Sequence, residues 1–233
     1  MAWSNHYLDT LSPSDAARLE PSLRRISLTR DQLVAEAGEP VAQVTLPISC
    51  VISVVAVMND GRQVESRTVG RESGYGLLHA LGSRYSFERV TAQIPGEAWR
   101  LPVEALTAAA DQSRSLTKHI VRHAQATIVQ SAQSTACNTL HGAEQRLARW
   151  LLLTQERLGS DVIPLTQEHL SIMLGVQRTT ITAVASELQA AGIIRYLRGR
   201  ITIRDRQALI GRSCECYETI EAASQRLLAE PID

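Results

Sequence analysis

The sequence predicts a two-domain α+β protein: an N-terminal double-stranded β-helix or jelly-roll barrel, a long central helix and a C-terminal winged helix-turn-helix. Three observations carry this. Residues from about 26 to 101 are rich in β-branched residues and broken by turns. From Pro102 to about Thr139 there is no Gly and no further Pro. Beyond His141 the chain reads as helices with arginine-rich ends followed by a short hairpin.

In the first region, VTLPISCVISVVAVMNDGRQVESRTVG shows two strands joined through Asn59-Asp60-Gly61. Asp-Gly offers the positive φ angles of a tight hairpin. Glycines at 70, 74, 76, 82 and 96 add further turns, the pattern of short strands in a small barrel. The second region reads as a short helix and then a longer one, in which Leu116, Ile120, Ala124 and Ile128 recur every four residues. Such a stripe fits a dimer seam, with packing on its own barrel as the alternative. In the third region GAEQRLARWLLLTQERLG buries Leu147, Trp150, Leu151 and Leu153 and stops at Gly159. Asp161 to Pro164 then forms an extended bridge.

Composition narrows the function. At 233 residues with 44% apolar residues the chain is an ordinary globular protein, and no apolar run approaches a membrane span. No signal peptide is readable, so a cytoplasmic protein with reduced thiols is expected. The net charge is zero, but unevenly spread. Residues 139–213 hold ten arginines against six acids, whereas residues 214–233 hold one arginine against five. The basic excess therefore falls on the helix-turn-helix, where phosphate contact requires it.

The segment LTQEHLSIMLGVQRTTITAVASELQAAGIIRYLRGRITI carries the functional signal. Thr166 is a natural N-cap, Leu170, Met173 and Leu174 form an apolar face, and Gly175 ends the first helix in a left-handed conformation. Ile181, Val184, Ala185 and Leu188 mark the inward face of a second helix ending near Gly192. Gln177, Arg178, Thr179, Thr180 and Thr182 lie on its outer side or in its first turn, and Arg178 could donate both hydrogen bonds to a guanine. Ile193 and Ile194 start a strand, Arg198-Gly199-Arg200 turns it, and Ile201-Thr202-Ile203 returns: a wing with arginines 198 and 200 at its tip. The expected partner is double-stranded DNA, with Arg178 reading a base, Gln177, Thr179 and Thr182 assisting, Arg198 and Arg200 on the backbone, and Thr166 and Thr180 also among the DNA-binding residues.

This arrangement resembles the Crp/Fnr family, most strongly over HGAEQRLARWLL and the helix-turn-helix segment just quoted. The resemblance implies a cyclic-nucleotide-binding-like barrel with flanking helices over 1–112, a dimerisation helix over 113–139, the DNA-binding domain over 140–213 and a tail over 214–233. It also implies a homodimer on a pseudo-palindromic operator, contact with RNA polymerase, and a small-molecule effector. Members that bind cyclic nucleotides carry a Gly-Glu pair and an Arg-Ser or Arg-Thr pair, which here fall on Ser73-Gly74 and Tyr85-Ser86. The usual cyclic nucleotide is therefore not expected. Arg71, Glu72, Gly76, Arg84, Tyr85 and Ser86 remain the candidate effector residues. In the recognition helix the family's later Glu and Arg positions read Thr179 and Ala183, so an altered operator follows. The alternatives are a constitutive DNA-bridging dimer with a vestigial barrel, or a Cys/His redox or metal sensor.

No metal and no cofactor are expected. The chain has no cysteine before Cys50, unlike family members with an N-terminal iron–sulfur cluster. His119 and His123, and Cys137 and His141, are pairs one helical turn apart without an evident third ligand. Cys214 and Cys216 would share a face on a strand and diverge on a helix. Catalysis is not expected either: a Cys137 nucleophile with His141 as base lacks an oxyanion donor.

Overall fold

The computed structural model describes residues 3–228. The chain opens with α1 (His6–Asp9) and α2 (Pro13–Leu19), capped by Asn5 and Ser12. Asn5 also donates to the carbonyls of Pro47 and Ser73, at 2.8 and 2.9 Å, tying this end to the barrel. Seven strands follow: β1 (Arg24–Leu28), β2 (Leu33–Ala35), β3 (Gln43–Pro47), β4 (Val51–Val57), β5 (Gln63–Val69), β6 (Arg89–Ile94) and β7 (Gly96–Pro102). They form two antiparallel sheets in the orders β1-β7-β3 and β2-β6-β4-β5. Val44, Leu46, Ile52, Val54, Val90 and Leu101 belong to the buried core of this barrel, as the β-rich region predicts.

The 58–62 turn differs from expectation. Only Gly61 has a positive φ, 83°, and Met58 N donates to Arg62 O, so β4 and β5 meet through a wider loop than a two-residue hairpin.

Two helices follow, α3 (Val103–Asp111) and α4 (Arg114–Leu140), the latter capped by Ser113, whose Oγ accepts from Leu116 N. The predicted stripe divides. Leu116 and Ile120 enter the barrel core, whereas Ile128 is 65% exposed. Then come α5 (Ala143–Leu158), β8 (Val162–Ile163), α6 (Gln167–Leu174), α7 (Arg178–Ala190), β9 (Ile194–Leu197), β10 (Arg200–Ile203), α8 (Arg206–Arg212) and α9 (Cys216–Leu228). The extended bridge after α5 is a true strand: β8 pairs with β10, giving a three-stranded sheet β8-β10-β9. Where the sequence suggests only a tail over 214–233, residues 216–228 form α9, packed against α4. Residues 229–233 of that tail lie outside the described residues.

The C-terminal domain does not hang free. α5 and α6 cover the outer face of the β2-β6-β4-β5 sheet. Val51 and Ile94 of the barrel join Leu147, Leu151, Leu170 and Ile181 in one apolar core. This is why β4 is apolar at every position but Ser53: Ile52 and Val54 face the barrel interior while Val51 faces the second domain. It is also why α5 is buried on nearly every side, Arg149 and Arg157 included. The junction has a polar centre at buried Glu65, which accepts from Ser53 Oγ (2.6 Å), Gln93 Nε2 (2.8 Å) and Trp150 Nε1 (3.0 Å). Arg157 bonds Thr68 and Glu72 beside Gly70, where even a methyl side chain would collide with the Arg157 stem. No helix among the described residues is long and apolar enough to cross a membrane.

A cavity of 490 Å³ lies between the N-terminal helices, α5 and α9. Beside it Glu221 is half-buried against Glu156, with Glu72 and Arg157 near, and its carboxyl is pushed up to about 8 by partial burial and by the Glu156 carboxylate. Glu156 in turn accepts from Arg206 and Tyr217. A carboxyl raised in the fold holds its proton longer than in the unfolded chain, whose value is about 4.3. Stability is thus expected to fall as pH rises from about 4.5 to about 8, and to level off beyond. Glu221→Gln should flatten that slope in thermal unfolding measured across this range; an unchanged slope would assign it to other groups.

Candidate nucleic-acid interface

The two helices of the motif meet at Gly175, the left-handed C-cap of α6 at φ 59°. Thr166 caps α6 as predicted, its Oγ1 accepting from His169 N. α7 begins at Arg178, and Ile181, Val184, Ala185 and Leu188 are its buried residues. Gln177, Arg178, Thr179 and Thr182 are exposed, while Thr180 is half-buried. Arg178 occupies the first position of a helix with no acid in its first turn. A cation there opposes the helix dipole, which favours cations at the other end.

The wing is a two-residue turn between Leu197 and Arg200. Arg198 and Gly199 both have positive φ, 48° and 73°, as a type I′ turn needs. Arg198 and Arg200 are exposed at its tip. Contacts connect the wing to the recognition helix. Gly199 lies against the Thr166 methyl, Gln167 N donates to Tyr196 Oη (3.1 Å), and Thr182 Oγ1 donates to Gln167 Oε1 (3.1 Å). Wing tip, start of α6 and outer face of α7 therefore form one continuous surface, holding every residue that the sequence places on DNA. Gln167 and Tyr196 are missing from that set; they hold the three elements in register. Thr182 spends its hydroxyl on Gln167 and on the Arg178 carbonyl, leaving mainly its methyl group to face outward.

The candidate effector residues separate. A cavity of 480 Å³ in the barrel is lined by three of them, Gly76, Tyr85 and Ser86, together with Tyr75, Leu77, Phe87 and His123. Arg71, Glu72 and Arg84 do not line it. Arg71 and Glu72 line the second cavity, where Glu72 folds back to accept from Gly70 N and Arg157. Arg84 pairs with Glu104. Within the barrel cavity Arg67 is held by Glu88 through two hydrogen bonds, at 2.8 and 3.1 Å. Burial holds His123 down to about 3, so its ring is neutral at pH 7. Ser73 Oγ lies 2.9 Å from its Nδ1, and its Nε2 has no partner.

The cysteines are the largest departure from expectation. Cys137, His141, Cys214 and Cys216, read from sequence as two unrelated pairs, come together at one point. Burial raises the Cys137 thiol, and the His141 ring nitrogen Nδ1 lies 3.5 Å from Cys216 Sγ.

A barrel, a long helix and a winged helix-turn-helix presenting an exposed arginine thus follow one another along the chain. Residues 145–212 match the Crp-like helix-turn-helix domain. Solved structures share its fold at low identity. FixK2 from Bradyrhizobium japonicum matches at 18% identity over 82% of this chain and 98% of its own, with a TM-score of 0.71. The c-di-GMP responsive regulator CLP of Xanthomonas campestris matches at 15% over 82% and 99%, TM-score 0.65. A CRP/FNR-family transcriptional regulator of Thermus thermophilus, TTHA1359, matches at 20% over 84% and 98%, TM-score 0.63. No curated protein matches the sequence.

Proposed function

We propose that this protein binds a pseudo-palindromic DNA operator as a homodimer and regulates transcription through RNA polymerase, in response to an effector other than the usual cyclic nucleotide. The observation that carries the DNA reading is the continuous surface joining Gln177, Arg178 and Thr179 to the wing arginines 198 and 200. Helix-turn-helix proteins insert such a helix in the major groove and track phosphate with the flanking elements.

Pairing of two chains is supported by the outer face of α4. Val121, Gln125, Ile128, Ala132, Thr135 and Thr139 are exposed and recur at alternating spacings of four and three. That is the seven-residue repeat of a two-stranded seam. Ile128→Glu is expected to turn a dimer into a monomer in sedimentation velocity and to abolish tight operator binding. A wild-type protein that is monomeric at the concentrations where it binds DNA would contradict the dimer.

The barrel cavity is mostly apolar and aromatic, and its Arg67 is already neutralised by Glu88. A cyclic phosphate would meet no unpaired arginine there, which favours a neutral ligand. Cyclic AMP at millimolar concentration is expected to leave the thermal midpoint unchanged, since a ligand of the native state raises it. A concentration-dependent rise would overturn this part of the reading.

A further inference from the structure

We propose that Cys137, His141, Cys214 and Cys216 form a four-ligand site for a soft divalent cation of the zinc class. The proposal stands apart from the DNA-binding reading.

The ligand atoms of the four residues all lie within 4.8 Å of one another. A tetrahedral zinc ion, with metal–sulfur distances of about 2.3 Å and metal–nitrogen distances of about 2.0 Å, sets its donors roughly 3.5–3.8 Å apart. Cys137 Sγ to Cys214 Sγ and Cys216 Sγ to His141 Nδ1 are both already 3.5 Å. The remaining separations need only small rotamer changes. Three thiolates and an imidazole are the donor set of a closed structural site, and of the divalent metals zinc suits it best.

Local structure explains how the four converge. Cys137 and His141 are one turn apart on one face at the end of α4. Cys214 sits in the joint between α8 and α9, and Cys216 opens α9, so the pair does not suffer the divergence of a helical Cys-X-Cys. The first turn of α9 thus directs its positive dipole end at the thiolates.

The surroundings distinguish this cluster from ordinary buried cysteines, which behave as small apolar residues among aliphatic neighbours. Cys137, Cys214 and Cys216 form a buried cluster of their own, separate from the large apolar cores. Outer partners are also in place. His141 Nε2 lies 3.3 Å from Glu215 Oε1, the carboxylate–histidine arrangement that directs the other ring nitrogen to a metal. Gln133 Nε2 donates to Cys216 Sγ at 3.1 Å. Three thiolates around a divalent ion leave one negative charge, and the buried Arg149 guanidinium, whose Nε has no partner, lies close enough to Cys137 to offset it.

The site joins the last turn of α4, directly before the DNA-binding domain, to the helix that packs back along α4. His141 is the non-helical residue where the chain leaves α4 for α5, at φ −110° and ψ 149°. A bound ion would fix the direction in which the DNA-binding domain departs from the central helix.

The test is a Co²⁺ titration of the full-length protein, reduced and freed of metal by a chelator. One equivalent per chain should give the intense visible band of tetrahedral cobalt with a near-ultraviolet thiolate-to-cobalt band, both removed by Zn²⁺. Cys50→Ser should leave the titration unchanged and Cys214→Ser should weaken it by ~100-fold or more. If Cys214→Ser fails to fold, His141→Ala, at the half-buried ligand, should bind more weakly with a shifted spectrum. Absence of a tetrahedral band in fully reduced protein, or equal titrations for wild type and the ligand variants, would overturn the site. So would a Cys137–Cys214 disulfide forming under mild oxidant in protein that takes up no metal.

Discussion

Arg178→Ala is expected to weaken binding to the preferred operator by about 1–3 kcal/mol, roughly 5- to 150-fold, and to relax specificity at one base pair of each half-site. The side chain is exposed at the first position of α7, where a recognition helix points its residues at base edges. Its planar fork can address the O6 and N7 of one guanine, which Lys cannot imitate as a point charge. Because the residue opposes its own helix dipole, its removal should not destabilise the fold. Arg198→Ala makes the matching control. At the tip of the wing it should weaken all sequences alike and reduce the salt dependence by about one phosphate. Fluorescence anisotropy on single-base variants of the operator separates the two patterns. A uniform loss for Arg178→Ala would demote that residue to a backbone contact.

The largest effect on stability is expected from Trp150→Ala, at about 3–5 kcal/mol. Trp150 is buried in the core shared by the two domains, and its indole N–H is one of three donors to Glu65. Truncation opens a cavity and leaves a buried carboxyl short of a partner, a combination that is costly in a low-dielectric interior. Burial already pushes the Glu65 carboxyl above its ordinary range, so losing a donor should favour the protonated acid further. Trp150→Phe keeps most of the volume and loses only the hydrogen bond, so it should cost much less. Urea unfolding followed by circular dichroism measures both. A loss below about 1 kcal/mol for Trp150→Ala would mean that the DNA-binding domain is not docked on the barrel in solution.

What the sequence made legible was local. Gly175, Gly159 and the Arg198-Gly199 turn announce themselves because positive φ angles favour particular residues. The apolar spacing of Ile181, Val184 and Leu188 follows from a helix needing one buried face. The hidden features depend on partners far along the chain. Glu65 and Trp150 are 85 residues apart, and nothing near either one signals the other. The second buried face of β4 shows only as an apolar run, which reads equally well as a barrel strand. The α4 stripe divides for a related reason: Leu116 and Ile120 serve the barrel, whereas Ile128 of the same stripe is left exposed. Cys137 and Cys214, 77 residues apart, meet because α9 folds back along α4.

The most direct test of the central claim is selection of DNA from a random pool by the purified protein without added ligand. The account predicts enrichment of an inverted repeat whose half-site centres lie about one helical turn, or an integral multiple, apart. Each half-site should carry a guanine whose replacement matters to wild type and not to Arg178→Ala. Failure to enrich any sequence, both alone and with cell extract added to supply an effector, would contradict the assignment of α6 and α7 as a sequence-reading device.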